Sequence, residues 1–229
     1  MNWIKRKKKI GVFPDIDQFY RHMTGFQHLR YFAKISGVHK TRKQIESILI
    51  ECGLATSIHK KVKTYSFGMK KKLGFAQAIV TDPELVILDE PTSGLDPESA
   101  IDMRKQIKTL NQNGTTVFMT SHNLNELEQI SDRIGILKQG TITSIGSMDE
   151  LRDQYSSSFT VQINGEFPSN IKGIKQLNNI SSDKKRLTVE VENKAAISSL
   201  LENLLYQGAL IYKVEHEQLT LEDIFLMEE

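Results

Sequence analysis

Between residues 85 and 97 the chain passes from an unbroken apolar run, Leu85-Val86-Ile87-Leu88, to the acid pair Asp89-Glu90. A turn-rich segment follows, Pro91-Thr92-Ser93-Gly94-Leu95-Asp96-Pro97. The run is short and bounded by Asp82-Pro83 and Pro91, so it reads as a buried strand of a parallel sheet. Two further strands carry β-type patterns. Ile10–Phe13 stops at Pro14, and Thr115–Thr120 is β-branched and aromatic. Helical spacing appears between them. Thr24 with Gln27 forms a capping box ahead of Leu29, Phe32, Ala33 and Ile35, and Gly37 ends that helix. Thr41 with Gln44 opens a second helix whose apolar stripe is Ile45, Ile48, Leu49 and Cys52, closed by Gly53. Ser66 caps a third, from Phe67 to about Thr81, with Leu73, Ala76, Ile79 and Val80 on one side. Asp96, with Pro97 at the first helical position, starts a fourth that runs to about Asn113.

Beyond Ser121 the pattern predicts a short helix over Asn123–Ile130. A hairpin follows, of Arg133–Lys138 and Thr141–Ile145 around Gln139-Gly140, and then a helix over Met148–Tyr155. Ser156-Ser157-Ser158 marks a linker. After it the chain alternates, first over Phe159–Ile163 and then over Leu187–Val191. A helix from Lys194 to Gln207, a strand over Leu210–Val214 and a closing helix from Thr220 complete it. The predicted class is α/β over residues 1–155, with a small α+β appendix over 156–229.

Composition narrows the function only by exclusion. The chain has 229 residues, 39% hydrophobic and 25% charged, with a net charge of +2, which gives no argument for nucleic acid as a partner. The basic run Lys5–Lys9 lacks interleaved aromatics and reads as a solvated flank. The single cysteine, Cys52, excludes an intramolecular disulfide framework and fits a reducing cytosol. No apolar run approaches the roughly 18 residues a membrane span requires. His22, His28, His39 and His59 have no ligand spacing and read as surface or packing residues.

Candidate chemistry gathers at predicted strand tips. Ligands bind at the carboxyl ends of parallel strands. There Asp89 and Glu90 can hold Mg²⁺ and orient a water, and Ser121-His122 follows the next strand to the same edge. A capped helix start such as Ser66-Phe67-Gly68 offers free N–H groups to phosphate.

Three motifs in this order, Tyr65-Ser66-Phe67-Gly68-Met69-Lys70, Leu85–Pro97 and Thr120-Ser121-His122, resemble the signature, the Walker B with D-loop, and the switch histidine of ABC-type ATPases. The likeness runs from about Ile10 to the C-terminus, including the terminal Leu221-Glu222-Asp223-Ile224-Phe225 of bacterial exporter-type subunits. It implies a partial P-loop NTPase sheet with a helical subdomain over about residues 20–80. It also implies ATP and Mg²⁺ as cofactors, and cytoplasmic residence on the inner face of the membrane. The partners would be a transmembrane permease subunit and a second ATPase subunit. Carried over by residue, Asp89 ligates Mg²⁺, Glu90 polarises water and His122 meets the γ-phosphate. Ser66, Gly68 and Met69 clamp a nucleotide in trans, and Asp96 bridges the dimer. Asp15 stands where the family has the Q-loop glutamine and, as an acid, can still ligate Mg²⁺; Phe67 stands where the family has glycine. The class also needs a phosphate cradle, G-x-x-x-x-G-K-[ST]. No Gly-Lys pair stands anywhere in the sequence. The resemblance therefore implies an N-terminally shortened cassette, with a central strand left at an edge and poor ATP hydrolysis alone. The alternative is a non-catalytic partner lending its signature face to a P-loop-bearing subunit. DNA-repair ATPases of this class carry a long heptad insertion, which this sequence lacks.

Overall fold

The computed structural model describes residues 9–155, 159–168, 171, 177–180, 185–191 and 194–228. Most of the Lys5–Lys9 run and the Ser156–Ser158 linker lie outside them. The chain divides into two compact units that meet between Asn123 and Leu124.

In the first unit, β1 (Ile10–Val12), β2 (Leu85–Asp89) and β3 (Thr116–Thr120) form a parallel sheet in that order. Leu85 to Asp89 pair with Thr116 to Thr120 residue by residue, so both strands end level. The acid-bearing strand is flanked on both sides, and β1 and β3 are the edges of this sheet. Four helices build the core: α1 (Gly25–Ile35), α2 (Arg42–Glu51), α3 (Phe67–Ile79) and α4 (Pro97–Gln112). Both predicted capping boxes are present, at Thr24/Gln27 and Thr41/Gln44. Val86 and Leu88 pack with Leu29, Leu49, Leu73 and Met103, all fully buried. Gly11 makes that packing possible, because a Cβ there would sit 1.9 Å from the Ala78 carbonyl oxygen of α3.

Two expectations change. The apolar run over β2 is buried on one face only; on the other, Leu85 and Ile87 are half-buried beside exposed Ile10, Val12 and Phe118. No helix covers that face among the described residues of this unit. On α1, Ile35 leaves the core stripe and is exposed, while His28 joins it, fully buried between the rings of Phe19 and Phe32.

The second unit begins with α5 (Leu124–Ile130). The hairpin of β4 (Ile134–Lys138) and β5 (Thr141–Gly146) turns at Gln139 (φ 48°) and Gly140 (φ 79°). Paired positive φ values match the twist of the strands they join. α6 (Met148–Tyr155) follows. An antiparallel sheet of β6 (Phe159–Glu166), β7 (Leu177–Ile180), β8 (Arg186–Val191) and β9 (Leu210–Glu217) runs in the order β7-β8-β6-β9. α7 (Lys194–Tyr206) contributes Leu200 and Leu204 to a core with Val161, Ile163, Leu187 and Val189. α8 (Leu221–Met227) starts on a Thr220/Asp223 capping box and packs Leu221 and Ile224 with Ile134, Ile136 and Leu151. No helix among the described residues is long and apolar enough to cross a membrane.

Candidate functional site at the tips of strands β2 and β3

Level strand ends put Asp89 opposite Thr120. The Thr120 hydroxyl donates to Asp89 Oδ1 at 2.5 Å, which fixes the carboxylate while leaving it exposed. Glu90 leaves the strand in the left-handed region, φ 46°. A bulky residue held there is strained, and such strain persists only where its surroundings enforce it. The Glu90 N–H donates to both the carbonyl and the hydroxyl oxygen of Thr120, each at 3.2 Å, and its own carbonyl accepts from Lys71 Nζ at 2.7 Å. The turn aims the side chain at His122, whose Nδ1 lies 2.9 Å from Glu90 Oε2. A carboxylate can only accept, so Nδ1 carries the proton. The imidazole is mostly solvent-exposed, and the free Nε2 side of its ring is open to a ligand.

The start of α3 lies beside the turn into α4. Ser66 Oγ caps α3 by accepting from the Met69 N–H at 3.2 Å. A Cβ on Gly68 would meet Leu95 Cδ2 at 3.4 Å and Ser99 Oγ at 3.6 Å. Phe67 keeps negative φ. Its ring lies where a Cβ on Gly94 would be, 2.9 Å from Cε1, and Gly94 holds φ 75°. Glycine therefore suits position 94 twice, for its conformation and for the ring above it. Asp96 caps α4, accepting from the Ser99 N–H at 2.9 Å. Backbone and side-chain hydrogen bonds from Ser99 hold its carboxyl below the ordinary carboxylate range.

The structure brings Asp89, Glu90 and His122 together, and places Ser66, Gly68 and Met69 against the segment ending at Asp96. Asp15 stands apart. Its carboxylate caps the turn Ile16–Gln18, accepting from the Asp17 N–H at 3.0 Å and Gln18 Nε2 at 3.2 Å. Among the described residues no cluster of three His, Cys, Asp or Glu forms a metal cage. One exposed carboxylate fits Mg²⁺ shared with phosphate oxygens, since that ion binds through one or two carboxylates and keeps other ligands from substrate and water. Two supporting residues escaped the sequence reading. Thr120 is signalled by a hydroxyl at the last strand position opposite an acid. Lys71 is masked by its neighbours Lys70 and Lys72.

Comparison with known proteins identifies the family. Residues 1–93 match the family model described as ABC transporter. Residues 146–228 match the model described as the C-terminal domain of DrrA1-3-like ATP-binding proteins. Among solved structures, an ATP-binding subunit of an ABC transporter superposes with a TM-score of 0.60 at 25% identity, covering 66% of this chain and 64% of that one. A dimeric ATP-binding cassette in a post-hydrolysis state, bound to ADP and Pi, gives 0.57 at 22% identity, covering 63% and 65%. The chain thus spans just under two thirds of each solved chain. Among curated relatives, the linearmycin resistance ATP-binding protein LnrL of Bacillus subtilis is 30% identical over 97% of this chain and 75% of its own length. The bacitracin transport ATP-binding protein BcrA of Bacillus licheniformis is 36% identical over 72% and 55%. The ABC transporter ATP-binding protein YhcH of Bacillus subtilis is 35% identical over 98% of this chain and 72% of its own. With two strand tips carrying an acid pair and a histidine, a capped helix start beside them, and this similarity along nearly its whole length, the chain belongs to the ATP-binding proteins of ABC transporters.

Proposed function

We propose that this chain is the ATP-hydrolysing subunit of an ABC exporter, working with a second ATPase subunit to drive a separate membrane permease from the cytoplasmic face. The Glu90–His122 contact beside the Thr120-fixed Asp89 carries the proposal. It joins an acceptor for a water proton, held by backbone at a level strand end, to an exposed imidazole that donates Nδ1–H to that acceptor and, when doubly protonated, donates Nε2–H to a phosphate oxygen. Asp89 is the residue that would hold Mg²⁺, an ion that neutralises charge on phosphate oxygens. Glu90 orients and polarises the attacking water. His122 keeps Glu90 aimed and stabilises the terminal phosphate. From the other subunit, the start of α3 at Ser66 and Gly68 presents its positive end to phosphate, with the Met69 N–H engaged by the Ser66 cap, and Asp96 bridges the two copies. The names of LnrL and BcrA attach resistance or transport to those proteins, and that chemistry favours export here.

These 229 residues hold no Gly-Lys pair to cradle the inner phosphates, so turnover is measured with a P-loop-bearing subunit present. This favours one second reading, in which the chain lends its α3 start to a partner's nucleotide and does no chemistry of its own. Titrating the chain into a P-loop-bearing ATP-binding subunit separates the two. In the first case Glu90→Gln lowers hydrolysis at least ~10²-fold while nucleotide binding persists. In the second, Glu90→Gln is silent and Ser66→Ala lowers turnover. No stimulation by the wild-type chain rejects both.

A further inference from the structure

We propose that Lys71 is a positioning residue that holds the left-handed Glu90 turn and ties it to the phosphate-gripping start of α3. The proposal rests on the role of Glu90 for its functional meaning, but its geometry stands independently. Lys71 is 8% exposed, on a helix where a lysine would ordinarily face water. Its Nζ donates to the Glu90 carbonyl at 2.7 Å, 19 positions along the chain. The ammonium also lies 5.1 Å from the ring centre of Phe13 and 5.7 Å from that of Phe67. Two aromatic faces and one carbonyl make a cage for a cation. Burial lowers the Lys71 pKa, while the charges of Glu90 and Asp89 favour the protonated form.

The cage explains two oddities together. Glu90 sits at φ 46° without being glycine, and its carbonyl direction depends on that φ. The Lys71 donor holds the Glu90 carbonyl while Thr120 holds the Glu90 N–H, so the peptide groups before and after the residue are both fixed. Phe67 stands where the family carries glycine, and here it walls the ammonium one helical turn before Lys71. Any displacement of the α3 start therefore pulls on the peptide that aims Glu90 at His122. Clamp and water-orienting acid are mechanically joined within one subunit, with Lys71 as the link to the Glu90 peptide itself.

The test uses the full chain, isotope-labelled, and compares wild type with Lys71→Met, a substitution of similar volume and no charge. A strong NOE between the Glu90 amide and its own α-proton marks positive φ. A second NOE, from Glu90 to the His122 ring, marks the aimed side chain. Wild type shows both; Lys71→Met loses both while the amide signals of Leu73–Ala78 stay in place. A folded Lys71→Met chain that keeps both signals overturns the proposal. Should Lys71→Met fail to fold, the same change is made with Glu90→Gly, because glycine holds a left-handed turn unaided. Recovery of folding in the double variant supports the proposal, and an equally unfolded double variant overturns it. These signals need no hydrolysis. If Glu90→Gln leaves turnover intact but Lys71→Met still releases the turn, the reading of Glu90 falls and that of Lys71 remains.

Discussion

Cys52 and Tyr65 show what burial does to single ionisable groups. Cys52 is 1% exposed, and burial pushes its thiol up to about 12, with the Glu51 charge adding to the rise and that of Lys72 opposing it. Burial also pushes the Tyr65 hydroxyl up to about 12, against the opposing effect of a hydrogen bond with the Gly25 backbone, while its own donor reaches the Ser57 carbonyl at 2.7 Å. In the unfolded chain these groups ionise near 9.0 and 10.0. Above those values the unfolded state sheds protons that the native state retains. Stability contributed by the neutral forms is thus complete below pH 9.0 and lost progressively as pH climbs toward about 12. Each group adds on the order of 1 kcal/mol of loss per pH unit inside its window. Denaturant midpoints measured from pH 8 to 11 are expected to fall steeply in wild type. The fall should be shallower in Cys52→Ala above pH 9.0 and in Tyr65→Phe above pH 10.0. Identical slopes in all three chains would show that neither group is coupled to folding.

Helix starts were the most legible elements, because a capping box joins two side chains to two backbone groups at fixed spacing. Thr41 accepts from the Gln44 N–H at 3.3 Å while Gln44 Oε1 accepts from the Thr41 N–H at 2.8 Å. Thr41→Ala is expected to cost about 1 kcal/mol in chemical denaturation; a change within error would mean that water caps α2 as well as the hydroxyl does. At α4 the cap is a carboxylate held below its usual range by Ser99, so its contribution is present at neutral pH and fades as acid protonates Asp96. The Leu85–Leu88 run and the Gln139-Gly140 turn were equally plain, since one is set by apolar continuity and the other by residues that accept positive φ. Less could be read where tertiary contacts decide. β7 is a short strand, LNNI, defined by its partner β8 more than by its own pattern. Ile35 follows helical spacing yet faces outward. Lys71 looks like one lysine of a solvated run until Phe13, Phe67 and Glu90 close around it. The acids and the histidine announced the site, whereas the groups that hold them did not.

The first unit leaves a parallel sheet uncovered on one face. Sheets of this kind are ordinarily buried on both sides. Here Val12 is 56% exposed, Ile10 45% and Phe118 61%, and strand register sets Val12 beside Ile87 and Ile87 beside Phe118. Contiguous apolar surface of this kind favours association. β3 adds an edge whose backbone groups face outward with no described strand beside it in this unit. Charge on β3 would discourage pairing, yet its sequence, Thr116-Val117-Phe118-Met119-Thr120, carries none. The isolated chain should therefore self-associate as concentration rises and should bind an apolar dye. Sedimentation velocity across a concentration series measures the first effect, and dye fluorescence the second. Val12→Thr with Phe118→Thr places β-branched residues at both positions while reducing the exposed apolar surface. Lower dye binding and a concentration-independent sedimentation coefficient are expected for the double variant, with the Glu90–His122 contact unaltered because neither residue touches it. A wild-type chain that sediments as a monomer throughout would show that this apolar face does not drive association.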